Sequence, residues 1–62
     1  MSLNLNPDLT PGIFVINENK IEWGIGQIQS SIDNKITINF ENVGKKVINS
    51  EKIRLKILNI NI

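Results

Sequence analysis

The chain has no cysteine and no histidine. Without cysteine there is no disulfide staple and no thiolate chemistry. Without either residue, a zinc site of the usual nitrogen and sulfur ligands and a histidine general base are both excluded. A cysteine-free chain fits a reducing cytoplasm, the expected location. No apolar run nears the roughly 20 residues that span a bilayer. The first residues, Met1 to Asp8, have neither the basic nor the apolar segment of a signal peptide. Alanine, the best helix former, is absent, while β-branched isoleucine is abundant. The bias therefore leans to strand, although an AT-rich genome would also enrich isoleucine, asparagine and lysine.

Sixty-two residues suffice for one small domain. A chain of this size buries only about 60% of its unfolded surface, so its stability rests on a few kcal/mol. The net charge is +1 but unevenly spread. In residues 1–34, Lys20 stands against Asp8, Glu18, Glu22 and Asp33, leaving −3. In residues 35–62, Lys35, Lys45, Lys46, Lys52, Arg54 and Lys56 stand against Glu41 and Glu51, leaving +4. Such asymmetry can mark a binding face, unless folding interleaves the two halves.

Residues 1–10 are polar and irregular and read as a flexible tail, ordered only if Leu3, Leu5 or Leu9 docks on the domain. Pro11-Gly12 signals a turn into a first strand through Ile13-Phe14-Val15-Ile16. A polar loop, Asn17 to Glu22, follows. The chain is organised around Trp23-Gly24-Ile25-Gly26, where a loop becomes sheet and Gly26 signals close backbone approach or a bulge. A second strand over 24–32 places Gly26, Ile28, Ser30 and Ile32 on one face. Asp33-Asn34 is the two-residue turn of a hairpin, of the I′ type that needs positive φ at both positions. A third strand over 35–40 points Ile36, Ile38 and Phe40 inward. After the Glu41–Gly44 turn, a fourth strand over 45–49 buries Ile48 and exposes Val47. A single helical or 3₁₀ turn is expected over 49–52, then a fifth strand over 53–58 with Lys52, Arg54 and Lys56 on one basic outer face. Residues 59–62 read as a tail or strand extension. The pattern predicts an all-β domain over residues 11–58: a five-stranded SH3-like barrel with a 3₁₀ turn before its last strand.

The ordered set Pro11-Gly12-x-x-Val15, Trp23-Gly24-x-Gly26-x-Ile28, Ile36-Thr37-Ile38-Asn39-Phe40 and Gly44-Lys45-Lys46-Val47-Ile48 resembles a family of small bacterial proteins, the domain of unknown function 3553. That family is similar in turn to the tudor-like C-terminal domain of UvrD/PcrA-type DNA-repair helicases. The resemblance spans about residues 11–58. It implies a tudor-like barrel with a non-enzymatic interaction role, since the helicase domains and the related CarD-type barrels contact RNA polymerase or repair partners. Where the helicase pattern carries basic or histidine residues after its first-strand valine, this chain has Ile16-Asn17.

The residues expected to meet a partner are Trp23, Phe14, Lys46, Lys52, Arg54 and Lys56. Trp23 either stacks on a partner or lids the core against Val15 or Ile28. With only Phe14, Trp23 and Phe40 as aromatics, an aromatic cage for a methylated cation is not expected. The basic residues either track phosphates or guard an edge strand against aggregation. A pI near 8.1 falls short of a dedicated nucleic-acid binder. Glu18, Glu22, Asp33, Glu41 and Glu51 are dispersed, which argues against acid/base catalysis. Gly24-Ile25-Gly26 has no following helix and is no nucleotide fingerprint. No catalytic, cofactor-binding or metal-ligating residue is expected. The partner expected is a protein, possible contact with nucleic acid is the alternative, and no membrane contact is expected.

Overall fold

The computed structural model describes residues 9–58. They form five antiparallel strands in one sheet: β1 (Phe14–Asn17), β2 (Gly26–Ile32), β3 (Lys35–Phe40), β4 (Gly44–Asn49) and β5 (Leu55–Leu58). The spatial order is β4-β3-β2-β1-β5. The first four strands follow one another as a meander in order β1 to β4, and β5 returns to pair with β1. All five strands lie where the sequence pattern sets them, within two residues at most ends. The sheet itself is open, with no ladder between β4 and β5 among the described residues, so the expected closure into a barrel is not what the pairing displays. Of the expected tails, 1–10 and 59–62, residues 1–8 and 59–62 lie outside the described residues. Leu9, at the end of the first, packs on the core.

The core is built by strict alternation. One row of partners crosses all five strands: Ile57, Val15, Gly26, Phe40, Gly44. A second, on the other face, runs Leu58, Phe14, Gln27, Asn39, Lys45. The first row and its neighbours bury Val15, Ile28, Ile36, Ile38, Phe40 and Ile48. Leu9, Ile13, Trp23, Ile53, Leu55 and Ile57 close over them. Ile48 inside and Val47 outside agree with the sequence pattern.

Alternation fails once, in β2. The register shifts between Ile28 and Ser30, leaving Gln29 without a partner on β3. One extra residue reverses every later side chain. Ile32 therefore leaves the core face expected for it and is 67% exposed beyond the bulge.

Two turns also differ from expectation. Of Asp33 and Asn34, only Asp33 has positive φ (54°), so the hairpin is not type I′. The 3₁₀ turn lies not before β5 but between β1 and β2, at Ile21–Trp23. The connection before β5 is instead an Asn-capped turn: Asn49 Oδ1 accepts the Glu51 N–H at 2.8 Å, and its carbonyl accepts from Lys52 at 3.0 Å and Ile53 at 3.1 Å. An asparagine side chain that accepts from the backbone two residues on caps such a turn, here a single one with no 3₁₀ element. Asn17, buried at the end of β1, makes the same turn, its Oδ1 accepting from the Asn19 N–H at 2.9 Å.

Candidate functional site

The opening stretch around Trp23 is held by the turn between β3 and β4. Glu41 N–H donates to the Ile25 carbonyl (2.9 Å) and Asn42 N–H to the Trp23 carbonyl (3.0 Å). Their side chains complete the latch: Glu41 Oε1 accepts the Ile25 N–H at 3.1 Å, and Asn42 Nδ2 donates to the Glu22 carbonyl at 2.9 Å. Between them Gly24 adopts φ +82°, where a Cβ would lie 2.9 Å from both Asn42 Nδ2 and Glu41 Oε1. Sequence reading marked Asn42 only as a turn residue. Its partnership with residue 22 spans the fold and leaves no local signal.

Trp23 is half-buried. Its ring meets Phe40 edge-on, centroids 5.1 Å apart at 64°. Phe40 is its aromatic partner, and Trp23 packs against the core cluster to which Val15 and Ile28 belong. The Lys46 ammonium stands 5.4 Å from the centroid of the same indole. Lys46 reaches it from β4, where it lies opposite Ile38 on the core face of the strand. A short side chain there would be part of the core; a lysine runs its stem along apolar surface and puts its charge at the rim. In the same 3₁₀ turn, two positions before Trp23, Ile21 is 68% exposed.

Phe14 is separate from Trp23, on the opposite face of the sheet, where it contributes to an open groove of about 430 Å³ with Gln27, Asn39 and Glu41. The basic trio lies at the far end. Ser50 N–H donates to the Asn34 carbonyl at 2.8 Å, so the turn before β5 abuts the β2–β3 hairpin, away from the Glu41 turn. Lys52 sits in that turn, Arg54 just before β5, and only Lys56 within the strand, opposite Ile16. Lys52 and Arg54 border a groove of about 330 Å³ with Leu9 and Ile53. Arg54 Nε lies 4.0 Å from Glu18 Oε1, with the arginine side chain 82% exposed, a pair worth little to stability. The six expected residues thus fall into three places: Trp23 with Lys46, Phe14 alone, and Lys52 with Arg54 and Lys56.

Among the described residues no three acidic side chains gather, and no helix is long and apolar enough to cross a membrane. Neither curated proteins nor solved structures provide a match for the chain. The family model described as "Protein of unknown function (DUF3553)" matches residues 9–58, the whole of the sheet and its core, and the chain belongs to that family.

Proposed function

We propose that this protein is a non-enzymatic interaction module, an SH3-like, tudor-like barrel in miniature that docks on a larger protein. The observation that carries this reading is the strand order, in which the last strand pairs back onto the first and both outer strands contribute to one core. In a flat sheet of five strands the outer two would stand about 19 Å apart. Ile48 of β4 and Leu55 and Ile57 of β5 belong to the same apolar cluster, which favours a sheet curled towards a barrel. The likeness to helicase and CarD-type domains makes transcription or repair machinery the class of partner to seek.

Around that core the chain offers surface rather than a reaction chamber. Its acidic residues are dispersed over loops and turns, while exposed Ile21 and half-buried Trp23 share the latched 3₁₀ segment and the Lys46 ammonium stands over the indole. Aromatic anchors set in such surroundings are what interfaces use. The test is affinity capture from native lysate, with and without nuclease, using the wild-type chain and Ile21→Asp. A protein retained by the first and lost by the second supports the reading. Retention of no protein at any salt concentration overturns it.

Binding of nucleic acid is the second reading, favoured by the exposure of Lys52, Arg54 and Lys56 along β5 and the turn that leads into it. It requires an affinity that falls steeply with salt and a uniform loss when all three become serine. A low-salt fluorescence titration with duplex and single-stranded DNA and RNA decides it. Silence at about 0.1 mM protein rules it out, since non-specific constants generally lie between about 10⁻⁴ and 10⁻⁶ M.

A further inference from the structure

The two outer strands of the sheet are not equivalent. β5 has four described residues, Leu55–Leu58, whereas β4 spans six, from Gly44 to Asn49. Along β4 the backbone bonds to β3 on one side. Beyond that ladder, no backbone bond involves residues 44–48 among the described residues. In an antiparallel strand about half of the N–H and C=O groups point away from the single neighbour, so among the described residues this edge carries a row of open donors and acceptors about 20 Å long.

The side chains along that edge are selective. Lys45 and Lys46 are adjacent, exposed and on opposite faces. The one ion pair among the described residues joins Arg54 to Glu18, so neither lysine meets a carboxylate among them. Lys35, across the ladder from Asn49, adds a third cation on the next strand. Val47, 64% exposed, presents a β-branched surface between them. A second copy of β4 laid against this edge would set lysine near lysine, which disfavours self-pairing. The arrangement that repels a copy attracts its electrostatic complement.

We propose that the β4 edge receives an extended acidic segment of a partner protein as a sixth strand. Two adjacent carboxylates meet Lys45 and Lys46 on the two faces, and a β-branched residue packs beside Val47. Main-chain bonds hold the segment and the charges select it. This rests on the interaction-module reading and specifies its partner. Lys46 also makes the edge report on itself. A carboxylate that draws the ammonium from the indole changes the surroundings of Trp23, the only tryptophan.

The test is a titration of the whole chain with three capped octapeptides, followed by tryptophan fluorescence and by ¹⁵N–¹H amide shifts. The first carries two adjacent glutamates flanked by valine and threonine. The second replaces the glutamates with lysines, and the third keeps them but has two central prolines. The acidic peptide is expected to give a saturable fluorescence change and amide shifts over 44–49. Lys45→Glu with Lys46→Glu is expected to weaken it at least about tenfold and to transfer binding to the lysine peptide. Lys45→Gln with Lys46→Gln is expected to weaken it without that transfer, which keeps the test open if charge reversal disturbs folding. The proposal is overturned if the wild-type chain shows no response at about 1 mM acidic peptide. Equal binding of the prolyl peptide, which cannot complete a ladder, overturns it. Shifts over 55–58 in place of 44–49 do so as well. The broader module reading stands or falls separately, on whether capture from lysate retains any protein.

Discussion

The ring of Phe40 fills the space that a side chain at position 26 would need. A Cβ on Gly26 would lie 2.6 Å from Phe40 Cδ1 and 2.5 Å from Ile38 Cγ2. Gly26 and Phe40 face each other across the β2–β3 ladder, and their row is the centre of the core. This glycine is required for close packing rather than for a turn, as its φ lies outside the positive range adopted by Gly12, Gly24 and Gly44.

Gly26→Ala is therefore expected to destabilise the domain by about 2–3 kcal/mol, the cost of overpacking a core whose neighbours have no room to retreat. Phe40→Leu in the same chain should recover part of the loss relative to the sum of the two single variants. Urea unfolding of the four chains of this cycle measures it. Strict additivity would mean that the ring is not what excludes the methyl group.

Trp23→Ala removes a half-buried indole and its edge-on contact with Phe40. Because the ring is only partly covered, the loss should be below the 3–5 kcal/mol of a fully buried aromatic, at about 2–3 kcal/mol. Thermal melts followed by far-UV circular dichroism check it. An unchanged midpoint would assign Trp23 wholly to the surface.

Gly24→Ala imposes a Cβ at φ +82° against the Glu41 and Asn42 side chains, with an expected cost of about 1–2 kcal/mol. Asn42→Ala removes the bond to the Glu22 carbonyl and should cost about 1 kcal/mol. Combined, the two should cost less than their sum, since the second clears one of the atoms the first collides with. A deficit of zero in chemical denaturation would dissociate Gly24 from the latch.

Ile32→Thr should change stability by less than about 0.5 kcal/mol, because the bulge has turned this residue to solvent. Ile28→Ala, four residues earlier and fully buried, should cost about 2–5 kcal/mol. Equal losses from the two substitutions would argue that alternation continues through Gln29 and that the bulge is absent in solution.

The contrast between Ile28 and Ile32 also marks how far the sequence could be read. Strand identities and the inward set Ile36, Ile38, Phe40 follow from a period of two, which each strand carries within itself. The Gln29 bulge is fixed by the partner strands, and nothing in Gln-Ser-Ser announces it. The 3₁₀ turn at Ile21–Trp23 has no side-chain cap, and so no N-cap residue to betray it. At Asn49 the side-chain oxygen holds the Glu51 N–H and closes a turn without a 3₁₀ element. Trp23 was legible as the organising aromatic, while its neighbours Phe40 and Lys46, 17 and 23 positions away, became neighbours only through the sheet.

The return of β5 to β1 sets the order in which the domain can be completed. The β2–β3–β4 meander joins neighbours in sequence, but Phe14 pairs with Leu58 and Asn17 with Leu55. Closing so long a loop carries a larger entropic cost and slows folding compared with hairpin formation. A chain emerging from the ribosome can assemble its three central strands early. It must leave the side of β1 that β5 will cover open until Leu58 has been added. Of the five described strands, the last to be made thus seals the first, and premature release leaves β1 available to another chain.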